Sequence, residues 1–600
     1  MAVKLEKFVV KNFKSIGSKP VEIELDEIVI LVGGNNYGKS TILKAYHAAV
    51  NSEKLSKEDF HNCITSDPTS YPTVELHILC SGDDTPSDKF QEPIENSEFV
   101  RVKEQFVWEK PNSLPVRKGF RVDLERFAID SDDSPKCPWA TDNASRKKRP
   151  KAHLIDTFDD PDAQNNVIKS LVVEVLLEDK IKGFKSEKND FDFSTIYENL
   201  NSLKSEFIGK AKGDLNSIAS DISTYVKKIV PNHELHIDIT SDEVVTSNIK
   251  IFDSKDVEIS FGKNDSLFPI ESHGSGARRT LLWSLLKSIA DLGYESKGKK
   301  YAELGAIKSH LLLLDEPELS LHPSACRQTR DMLYDLAEKN DNWQVMVTTH
   351  SPSFIDLTRD HTKIIRVEIE NDNVQATTIF RPEDVAFDKD ETEELKLLNL
   401  MKPDVLEFFF GGKVLLVEGD TEFSAFSKII SDDKNDNHEN SIFNDLLVLR
   451  CNGKVQVSMF MKVLNHFKKD YFVLHDIDTK QIIKNRKFKE GNKLNIESNP
   501  AWTNNEKIKN QMSKFSNVYA SVINFETAYF DESIQSGKPQ NAIEKLRNEE
   551  IYKTVKDLLT AIVCNDSLPN GAIKWETIGE ISDAFDSYAA QHPEVIPVLQ

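Results

Sequence analysis

The chain has 600 residues, 29% of them charged and 39% hydrophobic, with a formal net charge of −22. That length predicts roughly two or three domains, each burying its own core. The acidic balance excludes a protein that coats nucleic acid through one broad basic face, although local basic patches and bridging cations still permit DNA contact. No apolar run of about 18 residues predicts a membrane span. The opening MAVKLEKFVVKNF alternates like a strand and lacks the apolar core of a signal peptide. Six scattered cysteines form no C-x-x-C pair and fit reduced thiols in the cytoplasm.

In chain order, VKLEKFVVKNF and PVEIELDEIVILVG predict a β-rich start. The apolar run Ile28 to Val32 stops at Gly33-Gly34-Asn35-Asn36-Tyr37-Gly38-Lys39-Ser40, and a helical pattern follows through Leu43, Ala45 and Ala48. This is G-x-x-x-x-G-K-[ST] with a strand before it and a helix after it, a setting that weighs against a chance glycine-rich turn. The glycines let backbone N–H groups turn inward around a phosphate, and the helix N-terminus adds partial positive charge. Gly33, Asn35, Asn36, Gly38 and Thr41 then line a nucleotide cradle, with Lys39 on the β- and γ-phosphates and the Ser40 hydroxyl on Mg²⁺.

YPTVELHILC reads as another strand. From Ser81 to about Asn165 the pattern weakens into either irregular strands or loops, and Arg146, Lys147, Lys148, Arg149 and Lys151 are either a solvated loop or a DNA contact. Helical periodicity between about Asn166 and Ile229 fits an arm or dimer contact, or ordinary core packing. Strands resume at HELHIDI and SNIKIFD, ahead of Glu271-Ser272-His273-Gly274-Ser275-Gly276-Ala277-Arg278-Arg279 and a helix. HLLLLDEPELSLHP is a buried strand delivering Asp315 and Glu316 at its C-terminal end, where α/β sheets place ligands. Asp315 suits a water-mediated Mg²⁺ contact, and Glu316 suits polarising an attacking water. WQVMVTTHS ends a further strand at His350, placed for a γ-phosphate, although a lone histidine is more often structural.

Together these pieces resemble the ABC-type ATPase heads of RecF, the SMC proteins and the OLD (overcoming lysogenization defect) nucleases. VVKNFKSI, GGNNYGKS, HGSGARR, LLLLDEPE, SLHP and His350 follow the family's order, although GSGARR departs from the transporter-type LSGGQ. The resemblance implies that Ser275 and Gly276 of one subunit close on ATP held by another, hence a homodimer or higher homo-oligomer.

After Lys402-Pro403 the pattern changes again. A strand delivers Glu418 in KVLLVEGDTE, and YFVLHDID presents Asp476 and Asp478 on one side at period two. The β-α alternation predicts a small parallel sheet with helices on both faces. Carboxylates gathered at strand ends make a site for Mg²⁺ or Mn²⁺, which take hard oxygen ligands and bridge to phosphate. The pattern resembles the Toprim domain of OLD-family nucleases. By that resemblance Glu418, Asp476, Asp478 and Glu526 hold metal, Glu422 is a further ligand, and Lys574 steadies charge on the scissile phosphate. Lys484, Arg486, Lys487, Lys489 and Lys493 either track a DNA backbone or form a mobile basic loop.

The expected fold class is α/β: an ABC-type P-loop head with an inserted helical region, then a Rossmann-like Toprim domain. The expected boundaries are an N-terminal lobe at 1–165, a helical insertion at 166–230, a second lobe at 231–400 and a nuclease domain at 408–600. The resemblance implies a metal-dependent DNA endonuclease gated by ATP in anti-phage defence. It also implies a separately encoded partner, either helicase-like or a retron reverse transcriptase with its DNA. The alternative is a RecF- or SMC-like ATP-dependent DNA clamp whose Toprim part does not cut.

Overall fold

The computed structural model describes residues 3–597 apart from 157–164, 173–195, 240–255, 289–308, 531–536 and some shorter stretches. The chain divides into two compact units, Met1–Pro382 and Glu383–Gln600. The helix Lys389–Met401, placed by sequence in the second ATPase lobe, falls in the second unit. There Lys462 Nζ donates to both Glu391 carboxylate oxygens at 2.7 Å, and the aromatic pair Phe408 and Phe409 that follows packs on Phe467.

The first unit is built on a six-stranded sheet in the order Asn373–Phe380, Thr362–Glu370, Ile28–Val32, Trp343–Thr348, His310–Asp315, Lys151–Ile155. All neighbours are parallel except the outermost hairpin. Ile28–Val32 is buried at every position, as expected of a central parallel strand covered on both faces. An antiparallel sheet formed by Val21–Glu24, Val3–Lys11, Thr73–Cys80, Val100–Val107, Val116–Arg121 and two short edge strands shares the same apolar core. Phe8, Leu76, Val102 and Phe106 meet Val29, Leu31 and Leu311 there.

Part of the weakly patterned region after Ser81 is therefore ordered strand. Its basic cluster is not a solvated loop where it is described. Arg149 and Glu104 are both fully buried and joined by a 2.8 Å Nε–Oε2 bond, with Ser145 Oγ donating to Glu104 at 3.0 Å. The Arg149 guanidinium also lies 4.7 Å from the Phe106 ring centroid, and Lys148 pairs with Asp84. Arg146 and Lys147 lie outside the described residues.

A single helix, Ile196–Ile229, fills the C-terminal part of the stretch whose periodicity predicts helix. Phe207, Ala211, Leu215, Ile218, Ile222 and Val226 form its buried stripe, which packs on the strand Glu234–Ile239. Ser223 Oγ accepts the Leu235 N–H at 2.8 Å. That strand begins a three-stranded antiparallel sheet with Val257–Lys263 and Ser266–Pro269, and SNIKIFD lies outside the described residues.

The second unit holds a five-stranded sheet in the order Leu446–Arg450, Lys413–Val417, Tyr471–Asp476, Ser516–Ser521, Ala572–Lys574. Four strands are parallel, as the β-α alternation predicts. The last runs antiparallel, which makes the sheet mixed. It follows the amphipathic helix Glu549–Cys564 and returns along the edge before Thr577 caps the helix Ile578–Gln591. The basic stretch after Asp478 is an antiparallel hairpin, Gln481–Phe488 with Gly491–Ser498. Among the described residues no helix is long and apolar enough to cross a membrane.

Candidate functional site

In the first unit the phosphate loop leaves Val32 and turns at Gly33, whose φ of 142° and surroundings admit no side chain. A Cβ there would lie 2.1 Å from the Val367 carbonyl oxygen. Gly38, at φ 94°, opens the helix Lys39–Asn51. Asn35 and Asn36 are exposed in the turn, and Thr41 Oγ1 accepts from Ser15 Oγ at 3.3 Å.

Lys39 Nζ donates to the carbonyls of Gly33 (3.1 Å) and Gly34 (2.8 Å) and to His350 Nε2 (2.8 Å). Ser40 Oγ donates to Asp315 Oδ1 at 2.7 Å, and Thr348 Oγ1 donates to the same oxygen at 2.6 Å. Glu316 lies 3.5 Å from His350 and takes a left-handed φ of 45°, a strained conformation for a residue with a side chain. Lys39, Ser40, Asp315, Glu316 and His350, scattered over more than half the chain, thus converge. Ser275 is exposed and Gly276 half-buried where a helix starts.

Burial pushes the Lys39 ammonium down from its usual pKa, against the pull of Glu316, Asp315 and Glu318. Burial and then the Lys39 charge lower His350, while burial and Asp315 raise Glu316. Glu318 was not singled out from sequence. Its carboxylate accepts the Thr349 hydroxyl and the His350 N–H, each at 2.8 Å, and so fixes the backbone that presents His350.

In the second unit the parallel strands end in carboxylates. Glu418 follows Lys413–Val417, and its Oε2 accepts the Asp476 N–H at 3.1 Å. Asp476 closes the neighbouring strand, and its Oδ1 accepts the Phe525 N–H at 2.9 Å. Glu422, in the first turn of Asp420–Asn437, is buried, and a Cβ on Gly419 would sit 3.0 Å from its Oε2. Glu526 Oε1 accepts from Thr421 Oγ1 at 2.6 Å and pairs with Lys538 Nζ at 2.9 Å. Asp478, at φ 64°, is held by Lys454.

Burial is the largest force on Glu418, Glu422, Asp476 and Glu526. With neighbouring carboxylates adding to it, it pushes Glu418 up to about 7, Glu422 up to about 8 and Asp476 well above the usual aspartate range. Burial also pushes Glu526 up, but the hydrogen bonds from Thr421 and Lys538 leave it below its ordinary value. Crowded hard-oxygen donors that charge poorly on their own form the donor set a divalent cation takes.

Comparison with known proteins matches both units. The family model "AAA ATPase domain" covers residues 3–104 and 164–355. The model "Overcoming lysogenization defect protein-like, TOPRIM domain" covers residues 409–478. The chain has the OLD-family architecture of an ATPase domain joined to a Toprim domain. It is 24% identical to the Old nuclease of Escherichia phage P2 over 80% of this chain and 78% of that protein. It is 21% identical to the OLD nuclease of Thermus scotoductus over 79% of this chain and 82% of that protein. Endonuclease GajA of Bacillus cereus matches at 23% over 74% and 70%.

Within the OLD-type Toprim domain, Lys574 is not brought to the acids. Its Nζ donates to Asn517 Oδ1 (3.0 Å) and Asn565 Oδ1 (2.9 Å). It pairs with Tyr519, two residues before the strand end where Ser521 stands level with Asp476. Among the described residues, Lys454 and Lys538 do reach these acids, and sequence reasoning missed both. The glycine turn Gly453-Lys454 after a strand was the available signal for the first.

The raised carboxyls set a pH dependence. Glu418 and Glu422 hold protons in the folded chain at pH values where the unfolded chain, near 4.5, has released them. Their contribution to stability is therefore present below about pH 5 and lost as pH rises toward about 8. A bound divalent cation replaces those protons. Thermal melts in EDTA and in Mn²⁺ are expected to diverge with pH, the gap widening by about 5 °C or more between pH 5.5 and pH 8. An equal gap at both pH values would remove these carboxylates from the metal site.

Proposed function

We propose that this OLD-family protein is a metal-dependent DNA endonuclease whose cleavage is gated by ATP. The observation that carries the reading is the gathering of buried Glu418, Glu422 and Asp476, which burial and neighbouring carboxylates push up, with Asp478 two residues past the end of the Asp476 strand, in a region that matches a Toprim domain. These residues would hold Mg²⁺ or Mn²⁺. When bound, the cation supplies Lewis acidity toward a phosphate and lowers the pKa of water. The chain itself supplies orientation. The Asp476 N–H aims Glu418, the Phe525 N–H aims Asp476, and Thr421 with Lys538 holds Glu526 ionised beside them.

The gate lies at Lys39. Its ammonium spends its donors on Gly33, Gly34 and His350, so a nucleotide phosphate at Lys39 competes with bonds that hold the loop after Thr348. Glu316 and His350 face the same point, which suits slow hydrolysis that resets the gate. The exposed Ser275 and half-buried Gly276 suit closure on a second copy's nucleotide, giving a homodimer that binds DNA.

The test is plasmid nicking by the purified protein with Mg²⁺ or Mn²⁺, with and without ATP, beside Glu418→Ala and Lys39→Ala. Wild type is expected to nick only with metal. Glu418→Ala is expected to lose nicking, and Lys39→Ala to lose the response to ATP. DNA binding without nicking in any condition would leave a clamp in place of a nuclease. Nicking by Glu418→Ala at the wild-type rate would remove the metal assignment, and a nucleotide-indifferent wild type would remove the gate.

A further inference from the structure

Lys454 stands where electrostatics alone would not put a lysine. It is the first residue of the helix Lys454–His466, and helix N-termini repel cations. Its side chain is 1% exposed. The turn that delivers it is tied to the metal side of the sheet. Cys451 N–H donates to Val417 O at 2.9 Å, and Gly453 N–H, at φ 118°, donates to Glu418 O at 3.0 Å. From there Lys454 Nζ pairs with Asp478 and donates to Ala501 O at 3.0 Å. Asp478 is itself pinned, its N–H donating to Ile523 O at 2.8 Å from a left-handed backbone. A buried ammonium with one carboxylate partner and one carbonyl partner is costly unless a larger negative field surrounds it. Glu418 and Asp476 lie close enough to feel its charge, which pulls both of them back toward ionisation.

We propose that Lys454 is a positioning residue that serves as an internal counter-ion of the acidic cluster, clamping Asp478 and competing with a divalent cation for that carboxylate. The inference rests on the metal site described under Proposed function. Lys454 therefore keeps the cluster folded when metal is scarce and holds metal affinity below what the bare carboxylates would give. Asp478 becomes the exchangeable member of the set, whereas Glu418 and Asp476 are fixed by backbone N–H groups.

The readout is Mn²⁺ affinity of the full chain by titration calorimetry at neutral pH. Lys454→Met is expected to bind Mn²⁺ about tenfold tighter than wild type, the size of one removed neighbouring charge. Lys454→Arg, which keeps the charge, is expected to stay within about twofold. In an Asp478→Asn background the Lys454→Met effect is expected to shrink below about twofold, since the contested carboxylate is gone. Unchanged or weaker Mn²⁺ binding by a folded Lys454→Met would overturn the proposal. If that variant does not fold, Lys454→Gln, which keeps a donor toward Ala501, carries the same expectation and the same reversal. A wild type that binds no Mn²⁺ takes down the metal site itself, a failure distinct from wild-type binding that Lys454 does not influence.

Discussion

Asp476→Asn is expected to lower metal-dependent cleavage by at least about a thousandfold while stabilising the metal-free protein at alkaline pH. The substitution keeps the shape and the acceptor for the Phe525 N–H at 2.9 Å, so the loop into the helix Phe525–Phe530 stays in place. What it removes is a negative charge that burial and the nearby Glu422, Glu418 and Asp478 all disfavour. At pH 8.5 the metal-free variant is expected to melt several degrees above wild type, and the difference to shrink as pH falls toward the ordinary aspartate range. Cleavage within tenfold of wild type would show that the chemistry lies elsewhere. A variant that melts lower than wild type at pH 8.5 would show that the carboxylates are not frustrated by one another.

The second large effect is expected in the first unit, from a residue that sequence patterning places in a solvated loop or on DNA. Arg149→Ala leaves the Glu104 carboxylate fully buried, with Ser145 at 3.0 Å and Arg117 at 3.4 Å in place of a direct 2.8 Å bond to guanidinium. Breaking a buried pair from one side costs about 3–5 kcal/mol. Arg149→Ala is therefore expected to lower the melting temperature by more than about 5 °C, and Glu104→Gln with Arg149 intact to do comparable damage. Below that melting point the variant is expected to bind DNA with the wild-type salt dependence. A loss of one phosphate contact from that dependence with stability unchanged would make Arg149 a DNA ligand after all.

Arg149 marks where legibility in the sequence ends. The strands Ile28–Val32, His310–Asp315 and Trp343–Thr348 are readable because parallel strands covered on both faces become unbroken apolar runs, and their functional residues sit at the ends of those runs. Glu418 and the Asp476–Asp478 pair are readable for the same reason. Charged residues inside folded segments are not. Arg149, Lys454 and Lys538 take their meaning from carboxylates 45, 24 and 12 positions away, and local composition carries no trace of such pairings. Lys574 failed in the opposite direction: its place before a helix is visible, but the antiparallel return that aims it at Asn517 and Asn565 is not. The hairpin Gln481–Ser498 was read by its charge, while its alternation, QIIKNRKF against GNKLNIES, was the better guide to its backbone.

The phosphate-loop strand has neighbours on both sides that arrive very late. Ile28–Val32 is flanked by Trp343–Thr348 and Thr362–Glu370, and Leu5 N–H donates to Gln344 Oε1 across 339 positions of chain. During synthesis the N-terminal apolar strands emerge long before either flanking strand exists, and closing so long a loop is slow. The nascent ATPase therefore passes through an extended interval with IVILV uncovered, the condition that recruits chaperones and invites aggregation. The Toprim sheet, whose strands lie between Lys413 and Lys574, has no such wait. Segments far along the chain from the phosphate loop thus set when its strand becomes covered.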